Sequence, residues 1–205
     1  NGNITLNGIG SYFLINGSLV EVGSVSTQAL TGSTVINSTG VSGLDKNDLI
    51  VIKNKNDYSF SPHRAYYHDG EYKEVKSIDS NSINLKTGLI SNYLATTSNK
   101  IYKLNPVTVK INGVSFTGNG IYSLRVKYAA NCIFNIKRAE NTSIDPQSST
   151  AFAIDKCLNV TVNSGSFYKK YNVGTATDYG IGVFNSQNVI IDNVSAFGGR
   201  HAIST

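Results

Sequence analysis

Four segments in the second half of the chain share one pattern and decide the fold: PVTVKI (residues 106–111), NCIFNI (131–136), NVTVNS (159–164) and NVIIDN (188–193). Their starts lie 25, 28 and 29 residues apart. Aligned, they place apolar residues in two columns: Val107, Cys132, Val160 and Val189, and two residues on, Val109, Phe134, Val162 and Ile191. A period of two within a segment predicts a β-strand with one buried face.

Two further elements repeat with these segments. A strand precedes the last three, with columns at Leu124/Phe152/Ile181 and Val126/Ile154/Val183, and a short element follows each, ending at Phe116, Ala139, Phe167 and Phe197. A single coil of this size cannot bury its inner face, so coils must stack about 4.8 Å apart and share a core. The repeat predicts an all-β fold, a right-handed single-stranded parallel β-helix with three short strands per coil.

Asn131, Asn159 and Asn188 occupy the turn into the same strand in three successive coils. Stacked Asn side chains can hydrogen-bond to one another along a corner of the coil. We therefore expect a structural ladder of Asn side chains here in preference to a ligand site.

The rest of the chain divides into regions with different patterns of apolar and polar residues. Residues 1–30 have the alternation of early coils, whereas residues 31–105 lose the repeat and carry strand patterns at 48–53, 71–76 and 82–86. We interpret residues 31–105 as an inserted β-rich subdomain and residues 106–205 as the returning coils. Because residues 202–205 begin a new inward strand, we expect the coils to continue beyond residue 205.

Composition excludes several classes of protein. Only 15% of residues are charged, and no apolar stretch is long enough to span a membrane. The net charge of +5 is too dispersed for a nucleic-acid surface. Cys132 and Cys157 fall in different columns, so we expect two buried free thiols, as suits assembly in a reducing cytosol. No metal or cofactor motif is present, and we predict none.

Two stretches resemble a known family. One is GLDKNDLIVIKN (residues 43–54) with GEYKEVKSIDSNSINLKTGL (70–89), which looks like the β insertion often found between early coils, and the other is the coil ending in FGGRHAIS (197–204). The sequence resembles the pectate-lyase-like β-helix proteins of phage tail spikes and related bacterial proteins. The resemblance implies a homotrimeric receptor-binding protein of a virion tail, which attaches to the host by binding its surface polysaccharide, as tail spikes and tail fibres do, and in many members depolymerises it.

The loops after Phe116, Ala139, Phe167 and Phe197 leave the coil at one corner, so successive coils stack them into a ridge or groove. For a hydrolase of this kind, the two carboxylates across the glycosidic bond would come from Glu140, Asp145 and Asp178. For a lyase, the base and the cation that neutralises a uronate would come from Lys170, Arg200 and His201.

Aromatic and basic side chains near these loops are the predicted glycan contacts. Tyr168, Lys169 and Tyr171 lie in the loop of the third coil, and Tyr66 and Tyr67 lie in the aromatic loop of the insertion. Their ring faces could stack on sugar rings.

Three functions remain open from the sequence. The first is a virion receptor-binding protein with or without depolymerase activity, and the second is a secreted bacterial polysaccharide lyase or glycoside hydrolase. The third is a non-catalytic structural or adhesive β-helix. A shared fold does not choose among them.

Overall fold

The structure, a computed structural model, describes the backbone of residues 4–8, 12–57, 68–144, 149–169 and 178–205, with side chains for 12–53, 70–144, 149–169 and 178–205. The described residues form seventeen strands: β1 (Ile4–Gly8), β2 (Phe13–Asn16), β3 (Ser18–Ser24), β4 (Val35–Asn37), β5 (Leu49–Asp57), β6 (His68–Asp79), β7 (Ser82–Leu85), β8 (Lys100–Asn105), β9 (Lys110–Gly118), β10 (Tyr122–Lys127), β11 (Ala130–Asn141), β12 (Thr150–Asp155), β13 (Leu158–Lys169), β14 (Tyr179–Phe184), β15 (Gln187–Ile191), β16 (Val194–Phe197) and β17 (His201–Ser204). None of the described residues belongs to a helix long and apolar enough to cross a membrane.

The chain divides into two compact units, one made of Asn1–Gly17 with Pro106–Thr205 and the other of Ser18–Asn105. The sequence analysis placed residues 18–30 with the early coils, and the structure differs. β3 pairs antiparallel with β8, with Ser18 opposite Asn105, so the second unit begins and ends on paired residues. The alternation of β3 resembles that of a coil strand, and alternation alone does not show which sheet a strand joins.

The first unit contains two parallel sheets. One has the order β1-β9-β11-β13-β15, with β16 also paired to β13, and the other has the order β2-β10-β12-β14-β17. From β9 onward the chain alternates between the sheets, and each strand pairs in parallel with its counterpart in the neighbouring repeat. The predicted all-β architecture with parallel sheets is therefore confirmed.

Apolar side chains from both sheets share one core. Phe134 of the first sheet packs edge-on against Phe152 of the second at a ring-centroid distance of 5.2 Å, and Phe152 stacks on Phe167 at 5.5 Å. Each such ring stabilises the fold by about 1.5–3 kcal/mol through burial. The predicted columns Cys132/Val160/Val189 and Phe134/Val162/Ile191 are confirmed as register partners, as are Leu124/Phe152/Ile181 and Val126/Ile154/Val183.

Val109 was predicted to lie opposite Phe134, and that register is wrong. Ile111 is the partner of Phe134, and Val107 bridges to Ala129. The shift is two residues. A shift of two keeps every side chain on its own face of the sheet, so alternation cannot detect it.

The second and third predicted strands of each coil run together in β9, β11 and β13 and separate only as β15 and β16. Register shifts mark the junction in β11. In β13 the residue at this junction is Gly165, whose φ is 151°. A Cβ atom at Gly165 would lie 2.5 Å from the carbonyl oxygen of Ile136. The junction in β13 therefore requires glycine.

The junction resets the inward–outward alternation. Inward positions before and after it are five residues apart in every coil: Ile111 and Phe116, Phe134 and Ala139, Val162 and Phe167, Ile191 and Ala196. Phe197, aligned in the sequence with Phe167 at the end of the third element, instead lies opposite Tyr168, because Ala196 is the register partner of Phe167. A one-residue slip moves a side chain to the other face of a sheet.

The Asn ladder is confirmed. The Nδ2 group of Asn159 donates to Oδ1 of Asn131 at 3.0 Å, and Nδ2 of Asn188 donates to Oδ1 of Asn159 at 3.1 Å. All three residues have left-handed backbone, with φ between 53° and 55°. Asn tolerates this conformation better than other non-glycine residues, so the same residues make the turn and connect neighbouring repeats.

Cys132 and Cys157 are free and buried, as predicted. The Sγ atom of Cys157 lies 3.2 Å from the carbonyl oxygen of Asp155 and 3.5 Å from that of Val126. Both thiols are small core groups in contact with backbone.

The second unit is a six-stranded antiparallel arrangement in the order β3-β8-β5-β6-β7-β4. The strand patterns at 48–53, 71–76 and 82–86 fall on β5, β6 and β7. Ser80, with φ of 52°, turns the chain between β6 and β7. Ile36, Ile50, Ile52 and Tyr93 belong to a separate core in this unit.

Candidate functional site

The outer face of the first sheet carries two columns of side chains near the ends of its strands. Register partners in one column are Ser115, Arg138, Ser166 and Ser195, and in the other Thr117, Glu140, Tyr168 and Phe197. The positions between these columns are the inward residues Phe116, Ala139, Phe167 and Ala196. Because successive side chains of a strand point to opposite faces, both columns lie on the surface.

Two aromatic rings stack in the second column. Tyr168 and Phe197 have centroids 5.2 Å apart and ring planes inclined by 14°. Phe197 is 52% exposed. Tyr168 is half-buried, and the pairing of β13 with β16 sets the spacing of the two rings.

A charged pair adjoins the rings. The Nε atom of Arg138 lies 3.0 Å from Oε2 of Glu140, and the guanidinium carbon of Arg138 lies 5.7 Å from the centre of the Tyr168 ring. Arg138 is 48% exposed in its side chain and Glu140 is 26% exposed, so both offer atoms to solvent. We name Arg138, Glu140, Tyr168 and Phe197 the aromatic shelf.

The aromatic shelf combines the groups that a sugar ring requires. The exposed ring of Phe197 can cover the C–H face of a pyranose, and the guanidinium and carboxylate can bond to hydroxyl groups at the ring edge. The formal charges of Arg138 and Glu140 cancel. The shelf therefore suits an uncharged, amphipathic ring.

Lys169 and Asp178 lie inside the chain instead of on its surface. Both side chains are fully buried, with Nζ of Lys169 3.7 Å from Oδ2 of Asp178. The ammonium group donates to the carbonyl oxygen of Ser143 at 2.8 Å, and the hydroxyl of Ser149 donates to Oδ1 of Asp178 at 3.0 Å. These two predicted site residues pair with each other inside the first unit and present no charge to solvent.

Arg200 and His201 lie at the start of the last described strand. The His201 ring stacks on Tyr179, its register partner, at 5.9 Å and 14°. The backbone N–H of Arg200 donates to the carbonyl oxygen of Asp178 at 2.9 Å. Both side chains are exposed, with Arg200 directly before β17 and His201 as its first residue.

Of the predicted site residues, the structure brings Glu140 and Tyr168 into one column. Asp145, Lys170, Tyr171, Tyr66 and Tyr67 lie outside the described residues. Arg138 and Phe197 of the aromatic shelf were not predicted to be surface contacts. The five-residue spacing between inward positions is the sequence signal that would have placed Phe197 on the outer face.

Metal-ligating side chains do not converge in the part of the chain that the structure describes. No group of three His, Cys, Asp or Glu residues there could hold a metal ion.

Comparisons with known proteins agree with this architecture. Residues 14–104 match the family model described as tailspike protein-like, Ig-like domain. This match covers nearly all of the second unit. Among curated proteins, none matches the chain.

Three solved tailspikes share the fold. The Gp54 tailspike of Acinetobacter baumannii bacteriophage AP22, solved in complex with A. baumannii capsular saccharide, superposes with a TM-score of 0.81 and 24% identity over 97% of this chain and 33% of its own. The tailspike of Pseudomonas phage phi297 superposes at 0.80 with 20% identity, over 98% and 34%. That of Pseudomonas phage LKA1 superposes at 0.72 with 21% identity, over 98% and 36%. The chain thus has an all-β fold of the tailspike type and spans about a third of the length of these tailspikes.

Proposed function

We propose that this chain acts as a tailspike-like protein that binds a bacterial surface polysaccharide, with the aromatic shelf as its contact for a sugar ring. The observation that carries the proposal is the exposed stack of Tyr168 on Phe197 beside the Arg138–Glu140 pair. A fold shared with a tailspike solved with capsular saccharide supports the choice of ligand class.

The finer features of the family follow as parts of the same proposal. We propose that the two parallel sheets are faces of a right-handed parallel β-helix of the pectate-lyase-like kind. We further propose that the protein is a homotrimer on a phage virion tail, serving in host attachment. The parallel register of successive coils and the inserted second unit support the first part, and the tailspike matches support the second.

Polysaccharide binding, and not cleavage, is the activity that the described side chains support. A glycosidase needs two carboxyl groups facing one bond. Glu140 is paired with Arg138, and Asp178 is fully buried with Lys169. Cleavage is therefore kept as a separate outcome of the experiment.

The experiment measures binding of the chain to an array of purified bacterial capsular and O-antigen polysaccharides. We expect binding to at least one polysaccharide, with a loss of about tenfold or more for Tyr168→Ala and Phe197→Ala. Ile190→Ala is the matched control, because Ile190 is a 59% exposed apolar residue on the same sheet outside the shelf. Equal loss in all three variants would overturn the proposed site.

Incubation of the bound polysaccharide with the chain then tests cleavage. An unchanged product size agrees with a binding protein. Shorter products with new absorbance in the unsaturated-uronate band would identify a lyase, and shorter products without it a hydrolase.

A further inference from the structure

The outer face of the second sheet carries a cluster of positive charge. In β10, Leu124 and Val126 point into the core, so Arg125 and Lys127 point outward. Asp155 is the register partner of Lys127, and its Oδ2 atom lies 2.5 Å from the Arg125 guanidinium. One carboxylate therefore accompanies the two cations of this strand.

A third cation joins them at the adjoining corner. The ammonium groups of Lys127 and Lys156 lie 4.7 Å and 5.6 Å from the centre of the Tyr128 ring. Tyr128 and Lys156 both have left-handed backbone, with φ of 52° and 55°. We name Arg125, Lys127 and Lys156 the basic patch.

Backbone hydrogen bonds hold this corner in place. The N–H of Tyr128 donates to the carbonyl oxygen of Asp155 at 3.2 Å, and the N–H of Lys156 donates to that of Phe184 at 2.8 Å. The two lysines are therefore brought together by the stacking of the coils. Both ammonium groups lie near the one aromatic ring of Tyr128.

The charge of the basic patch is incompletely balanced. Three cations accompany the single carboxylate of Asp155, and among the described residues neither Lys127 nor Lys156 has an ion-pair partner within 4.0 Å. The buried Nε atom of Arg125 has no hydrogen-bond acceptor among them either. The two ammonium groups, and not the buried Nε–H of Arg125, are the donors that an anion from solvent would satisfy.

We infer that the basic patch is a second binding site, which takes the carboxylate of an acidic sugar in the polysaccharide. Lysine ammonium groups bind such an oxyanion through charge-assisted hydrogen bonds, and the ring of Tyr128 adds an apolar wall for the sugar. The inference rests on the proposed function for its choice of ligand. It assigns the acidic sugar units of the polymer to the basic patch and the uncharged ones to the aromatic shelf.

The test uses the full chain, labelled with ¹³C, and sodium glucuronate as the probe. We follow the Cε–Hε signals of Lys127 and Lys156 in NMR spectra during titration. We expect both signals to shift and saturate with glucuronate, while glucose and sodium chloride at equal concentration leave them in place. Equal shifts with glucuronate and with sodium chloride would overturn the site, because simple screening would then account for them.

Variants separate this inference from the proposed function. The double variant Lys127→Gln/Lys156→Gln should weaken glucuronate binding about tenfold or more, measured by the shift of the Tyr128 ring signals. Lys110→Gln, an exposed lysine of the same unit, should bind as the unchanged chain does. Undiminished binding by the double variant would overturn the basic patch.

The variant Phe197→Ala distinguishes failure of the basic patch from failure of the proposed function. This change should weaken binding to an uncharged polysaccharide through the shelf by about tenfold or more and leave the glucuronate titration unchanged. If glucuronate fails to bind while the shelf variants still lose polysaccharide, the basic patch alone is wrong. If glucuronate binds and no polysaccharide does, the proposed function is wrong and the patch remains an anion site.

Discussion

Phe197 lies opposite Tyr168 on the outer face of the first sheet, and the two rings stack at 5.2 Å. The neighbouring pair, Phe167 opposite Ala196, points into the core. Two phenylalanines that look equivalent in the sequence therefore face opposite sides of the sheet.

This difference predicts that truncation of the two side chains lowers the free energy of unfolding by different amounts. Phe167→Ala should lower the free energy of unfolding by about 3–5 kcal/mol, because it leaves a cavity in the core. Phe197→Ala should lower it by about 1 kcal/mol or less, because only an exposed ring contact is lost. Urea unfolding of both variants checks the prediction, and similar losses would contradict the outward placement of Phe197.

The Asn ladder predicts that Asn159 contributes through its backbone as well as its side chain. Asn159→Ala should lower the free energy of unfolding by about 2 kcal/mol, since alanine is strained at φ of 53° and the ladder bonds are lost. Asn159→Gly loses the same bonds without the strain, so its loss should be about 1 kcal/mol. Urea unfolding of the two variants measures the difference. Equal losses would show that the backbone conformation contributes nothing.

Because Lys169 and Asp178 form a buried pair, we expect the free energy of unfolding to depend strongly on both side chains. Lys169→Met should lower the free energy of unfolding by about 3–5 kcal/mol, because it leaves the Asp178 carboxylate buried without its cation. The double variant Lys169→Met/Asp178→Leu should recover most of this loss. Thermal and urea unfolding measure both variants, with Arg138→Met as the control for an exposed pair, expected to cost about 1 kcal/mol or less. A double variant as unstable as the single one would contradict the pairing.

Burial raises the pKa of the Cys157 thiol to about 12, from an ordinary value of 9.0. The folded thiol therefore keeps its proton while the unfolded one loses it above pH 9.0. Since the folded state then binds more protons, this group makes stability fall by about 1.4 kcal/mol per pH unit through that range. Unfolding of the native chain and of Cys157→Ala from pH 9 to pH 11 should show a shallower fall for the variant.

Thiol reactivity gives an independent check on the same residue. At pH 8 the folded chain should react with dithionitrobenzoate far more slowly than the chain in urea, because only the thiolate is nucleophilic. Rapid reaction of the folded Cys132→Ala variant, which keeps Cys157 as its one thiol, would show that the Cys157 environment is open.

Much of the coil structure follows from local pattern. Apolar alternation identified the strands, the stacking of like residues identified Val160 over Cys132, and the recurring Asn identified the ladder. The boundaries of the second unit, Ser18–Asn105, and the register of Val109 could not be predicted from this local pattern. Alternation is the same for a strand that joins either sheet and for a strand shifted by two residues.

The candidate site residues, like the fold, follow partly from the sequence and partly from the tertiary structure. Sequence alone determined that this chain alternates in repeats that must stack, because no single coil can bury its own apolar face. Only the tertiary structure decided that Phe197 and Arg138 reach the surface, that Lys169 and Asp178 do not, and that Lys127 and Lys156 both lie near the ring of Tyr128. There are two physical reasons. One irregular residue in a strand moves the side chains that follow it to the other face of the sheet, and contacts between neighbouring repeats join residues nearly thirty positions apart.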